Sequence, residues 1–104
     1  MNGSANPVRG EAAIALGKRT RVLRPTFAAL VAAEEELGPL FALVERAGEG
    51  RLRLQEIASL FWHCLAERGE TTREEVGEAV LSAGLAASAK PLRMLLSQIL
   101  QGAG

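Results

Sequence analysis

The tripeptide Trp62-His63-Cys64 contains the chain's single histidine and single cysteine. A Cys–His pair makes a thiolate nucleophile when the imidazole takes the thiol proton. Here the two residues are neighbours in a segment of helical periodicity. Helical neighbours project about 100° apart and do not face each other. Cys64 falls toward the Ile57 side and reads as a small buried hydrophobe. His63 falls nearly opposite Leu54, near Glu56 and Glu67, and reads as a surface residue. One histidine and one cysteine on different faces cannot complete a zinc site, which needs four protein ligands or three plus water. Glu34-Glu35-Glu36 spreads three carboxylates around a helix, so a solvated face is expected rather than an acid–base pair. No phosphate-cradling or dinucleotide glycine pattern occurs. The expectation is therefore no catalytic residue, no metal and no cofactor.

The elements that carry these residues follow from spacing and caps. Ala12, Ile14 and Leu16 alternate with Ala13 and Ala15, and Thr20 and Val22 continue opposite Arg19 and Arg21. This predicts a β-hairpin over 11–24. Pairing Ile14 with Val22 and Leu16 with Thr20 puts the apolar members on one face and implies a three-residue loop, Gly17-Lys18-Arg19. Thr26 is an N-cap candidate for a helix over 26–37, with Phe27, Leu30, Val31 and Leu37 as its apolar stripe and Gly38 as its stop. Pro39 opens a helix over 39–47, whose buried side is Leu40, Phe41, Leu43, Val44 and Ala47.

The clearest stripe, Leu54, Ile57, Ala58, Phe61 and Leu65, predicts a helix over 54–67 ended by Gly69. Leu60 and Trp62 widen its apolar arc on both flanks, so this helix is either central in the fold or half-covered by a partner. Thr72 and Glu75 form a capping box for a helix over 72–83, stopped by Gly84. A last helix over 89–101 carries Leu92, Leu95, Leu96, Ile99 and Leu100. The fold class is mainly α (α+β): an N-terminal hairpin followed by a compact bundle of about five short helices. Residues 1–8 read as a flexible arm, 9–101 as one globular domain and 102–104 as a frayed tail.

With 104 residues, 48% hydrophobic composition and zero formal net charge, the chain fits one ordinary domain rather than a disordered segment. A lone cysteine excludes an internal disulfide. The longest apolar run, Phe27 to Ala33, is far short of the roughly 20 residues of a membrane span. Met1 to Pro7 lacks the pattern of a secretory signal. The neutrality hides an asymmetry: Arg9, Lys18, Arg19, Arg21 and Arg24 face only Glu11 within residues 1–25, so the remainder is acidic. The arginines between 19 and 24 are either a solvated strand face or a small basic patch for an acidic partner. Trp62 is either a core residue or an interface anchor. Residues 72–101 also have a helix-turn-helix outline, with Gly84 in the turn. Its second helix offers only Lys90, Arg93, Ser97 and Gln98 outward, and its first is acidic, which argues against DNA.

The stretches Asn6-Pro7-Val8-Arg9-Gly10-Glu11-Ala12, Leu23-Arg24-Pro25-Thr26-Phe27-Ala28-Ala29-Leu30, Glu34-Glu35-Glu36-Leu37-Gly38 and Leu60-Phe61-Trp62-His63-Cys64, with Leu52 and Leu54, carry a family resemblance over nearly the whole chain. The chain resembles the small tail proteins of gene transfer agents, the phage-like particles of alphaproteobacteria. These are similar to the tail assembly chaperones of long-tailed phages and are sometimes labelled tail tube proteins. The resemblance implies a non-enzymatic role in the bacterial cytoplasm, in association with phage-like particles. The implied partners are the tape-measure protein and other tail proteins, with self-association and without a membrane. Small size and helical character favour a chaperone over a tube wall subunit. A tail tube component and a small helix-turn-helix regulator are the alternatives. The expected partner-binding residues are Leu60 and Trp62, helped by Arg19, Arg21 and Arg24.

Overall fold

The computed structural model describes residues 12–102. Strands β1 (Ala12–Leu16) and β2 (Arg19–Leu23) form an antiparallel hairpin. Five helices follow: α1 (Phe27–Leu37), α2 (Leu40–Gly48), α3 (Leu54–Cys64), α4 (Arg73–Ala83) and α5 (Leu85–Gln101). This is the mainly α architecture with an N-terminal hairpin that the sequence predicts.

The hairpin register differs from the expected one. Ile14 pairs with Arg21 and Ala13 with Val22, around a two-residue turn at Gly17-Lys18. Gly17 takes φ 65°, the left-handed conformation that lets a two-residue turn follow the strand twist. The shift puts Arg21 opposite Ile14, where an unpaired cation would be costly. The guanidinium instead donates to the Glu67 carbonyl at 2.9 Å and to Thr71 Oγ1 at 3.2 Å. Polar acceptors beyond α3 thus compensate a register that apolar alternation alone disfavours.

Helix α3 ends earlier than its stripe suggests. Leu65 is extended and bridges to Leu23. Arg24 N donates to the Cys64 carbonyl at 2.6 Å, and Ala66 N donates to the Val22 carbonyl at 2.9 Å. Those backbone groups serve β2 instead of another helical turn, so residues 65–67 leave the helix well before Gly69. Helix α5 begins earlier than expected. Gly84, at φ 94°, ends α4 and lets the next helix start at once. Pro91 therefore lies inside α5, where it withholds one backbone donor.

The caps at Thr26 and Thr72 form as the sequence predicts. Thr26 Oγ1 accepts from Ala29 N, and Thr72 and Glu75 close a reciprocal capping box. Glu34 adds a cap the spacing did not suggest: its Oε2 accepts from Leu40 N at 3.1 Å and anchors the start of α2.

Helix α3 is central, packed against both α1 and α4, while α5 lies on α4 and β1. Its Ile57, Ala58, Leu60, Phe61 and Cys64 are buried together with Ala12, Leu23, Ala33, Val76 and Leu95. Alanines at 29 and 33 let α1 approach closely, and Leu30, Ala33 and Leu37 supply its inward stripe. Phe27 and Val31 lie well off that stripe and face outward. Phe27 is 86% exposed, which corrects its place in the expected core. Phe41 is likewise 77% exposed, because α2 buries itself through Leu43 instead.

Candidate interaction surfaces

The residues marked for partner binding do not form one surface. Leu60 is only 1% exposed. The flank it occupies is enclosed once α3 lies between α1 and α4, so it is a core residue and cannot meet a partner. Arg21 is half-buried and committed to Glu67 and Thr71. Arg19 and Arg24 are exposed on β2 and just beyond it.

Trp62 is half-buried and held on several sides. Its indole N–H donates to the Thr71 carbonyl at 2.8 Å. The Arg68 and Arg73 guanidinium carbons lie 3.9 and 4.5 Å from the ring centroid, a cation–π arrangement. His63 meets the ring edge-on, with centroids 5.0 Å apart. The tryptophan therefore pins the segment between α3 and α4.

His63 is not the surface residue that spacing suggests. Its side chain is nearly enclosed, and Nε2 lies 2.7 Å from Glu36 Oε1. Glu36 also pairs with Arg73. The hydrogen bond from His63, then that from Arg73, holds the Glu36 carboxyl below the usual carboxylate range. The acidic run on α1 is thus partly structural: Glu36 ties α1 to α3 and α4, Glu34 caps α2, and only Glu35 has no partner among the described residues. Cys64 is buried, and desolvation pushes its thiol up to about 12. Such a thiol carries almost no thiolate at neutral pH. No cluster of metal-ligating side chains occurs among the described residues.

Unspent surface lies elsewhere. A groove of about 1150 Å³ runs between α2 and α5. Val44 and Ala47 line one wall, and Leu92, Leu96 and Leu100 line the other. Lys90 and Arg93 line its Leu92 end, Ser97, Gln98 and Gln101 add polar groups, and no carboxylate of the described residues lines it. Neither cation forms an ion pair with a described residue. The groove floor was legible as the outer part of the α5 stripe, but nothing in the sequence said that α2 would stand apart from it. Arg46 Nη1 meets Glu56 Oε2 at 2.6 Å and ties α2 to the start of α3. Glu56 is in turn held ionised, first by the Arg53 backbone N–H and then by Arg46.

The chain turns through 118° between α4 and α5, within the range of helix-turn-helix pairs. The exposed Glu74, Glu75 and Glu78 on α4 would repel phosphates beside any groove that α5 entered. No single helix among the described residues is long and apolar enough to cross a membrane.

Comparison with known families matches residues 9–102 to the family described as phage tail tube protein, GTA-gp10. No curated protein and no solved structure matches the chain.

Proposed function

From the chain's membership in the phage tail tube protein family of gene transfer agents, we propose that it is a non-enzymatic assembly protein of the chaperone type. It holds a helical segment of another tail protein, the tape-measure protein in particular, in the groove between α2 and α5. The observation that carries this reading is the groove itself: Val44, Ala47, Leu92, Leu96 and Leu100 give it apolar walls, Ser97, Gln98 and Gln101 add polar edges, Lys90 and Arg93 make one end basic, and no carboxylate of the described residues lines it. An amphipathic helix with an apolar face and an acidic flank fits those walls. The alternative, a tube wall subunit, needs extensive strand pairing between neighbours. The described residues supply one hairpin of two five-residue strands.

Co-expression with the tape-measure protein of the same gene cluster tests the reading. The two proteins should co-purify, and Leu100→Asp should abolish capture while leaving the fold intact, because Leu100 is half-exposed on the groove wall. Absence of co-purification, or capture unaffected by Leu100→Asp, overturns it.

A further inference from the structure

We infer that, before a tail partner arrives, the groove is occupied by α1 of a second copy of this chain. This rests on the reading of the groove as a helix-docking site. Helix α1 carries Phe27, Val31 and Glu35 in steps of four residues, a single ridge along its outer side. All three are exposed, and Glu35 has no partner among the described residues. The opposite side of α1 is held against α3, so this ridge cannot reach the groove of its own chain. On α5, Leu100, Leu96 and Leu92 repeat the same four-residue step, with Arg93 and Lys90 at the Leu92 end.

Laid antiparallel, the two ridges correspond. Phe27 meets the exposed Leu100, Val31 lies over the groove floor where the buried Leu96 shows only its edge, and Glu35 reaches Arg93 and Lys90. At 1.5 Å per residue, Phe27 to Glu35 spans about 12 Å and Leu100 to Arg93 about 10.5 Å, so both ends engage together. The charges agree as well: the ridge ends in the Glu35 carboxylate, and the groove holds two cations and, among the described residues, no acid. The reverse orientation puts Glu35 against Leu100 and Phe27 against the cations. The contact joins different patches on the two copies, so it is heterologous. Each linear assembly, of whatever length, then offers one free groove at one end and one free ridge at the other.

Sedimentation equilibrium on the full chain tests this. The apparent mass should rise with concentration above the 11.0 kDa of one chain. Phe27→Asp on the ridge and Leu100→Asp on the groove should each weaken association by about 30-fold or more, the cost of losing an interface anchor. Both residues are exposed in the single chain, and circular dichroism checks that the variants fold. Mixed together, the two variants should form a one-to-one complex that grows no further, because Phe27→Asp keeps a working groove and Leu100→Asp keeps a working ridge. Glu35→Lys should weaken association by about 3–5-fold, and combining it with Arg93→Glu should restore it.

A chain that stays monomeric up to its solubility limit overturns the inference, as do variants that fail to complement each other on mixing. The groove reading fails separately. Phe27→Asp leaves the groove untouched, so it should lose self-association and still capture the tape-measure protein, whereas Leu100→Asp should lose both.

Discussion

The side of the molecule around α3 and the side around α2 use their apolar residues in opposite ways. Around α3, Phe61, Leu60, Cys64 and Val76 are buried almost completely. The polar residues at that edge are also taken up internally: Trp62 by Thr71 and two arginines, His63 and Arg73 by Glu36, and Arg21 by the loop before α4. Around α2, Leu43 is the one fully buried residue of its helix. Phe41 points to solvent, and a wide groove separates α2 from α5. The first side has committed these polar groups to its own fold. The second retains apolar area and two cations with no ion pair among the described residues. Trp62 and Arg21 thus already have partners within the fold, whereas Phe41 and Leu100 are left outside it.

The largest effect should come from the α3 side. Phe61→Ala removes a side chain that is 0% exposed and leaves a cavity beneath the hairpin, so it should cost about 3–5 kcal/mol in urea unfolding. A loss under about 1 kcal/mol would mean that the α3 core is no better packed than the α2 flank.

A smaller effect concerns the ionic tie at the edge of that core. Glu36 has its folded pKa lowered from 4.5. Its contribution is therefore fully present above the unfolded value and is lost as pH falls through the lower folded value. Stability should decline below about pH 4.5, and Glu36→Gln should flatten that part of the decline. Partial exposure limits the tie to about 1 kcal/mol or less at neutral pH. Glu56 titrates in the same direction, so some acid sensitivity should persist in the variant. An acid limb identical to that of the native chain would show that Glu36 is solvated, as its place in an acidic run first suggests.

How much of this was legible follows the same division. The α3 stripe, the caps at Thr26 and Thr72, and the stops at Gly38 and Gly84 rest on local periodicity and backbone chemistry, and sequence displays both. Leu60, His63 and Arg21 were misplaced because their surroundings come from distant segments. Leu60 is covered by neighbouring helices. His63 is met by Glu36, 27 residues away, and Arg21 by Thr71, 50 residues away. The end of α3 was misread for the same reason, since Leu65 leaves the helix to pair with Leu23. The groove was the least visible feature. Apolar spacing shows that α2 and α5 each have a stripe, and it cannot show that the stripes stand apart.

The smallest expected effect on stability is the sharpest test of that separation. Phe41 belongs to the apolar spacing of α2, so spacing alone gives it a core residue's cost on truncation. Its 77% exposure says otherwise: little area leaves water when it folds, so little is lost when it goes. Alanine also favours helix over phenylalanine by about 0.5 kcal/mol, which offsets what contact remains. Phe41→Ala should therefore shift the urea midpoint by the equivalent of no more than about 0.5 kcal/mol in either direction. Set beside Phe61→Ala, the same deletion of an aromatic ring should differ several-fold in cost between the two sides. A loss above about 1 kcal/mol would place Phe41 in a packed site and remove the asymmetry on which the α2 side's role as a docking surface depends.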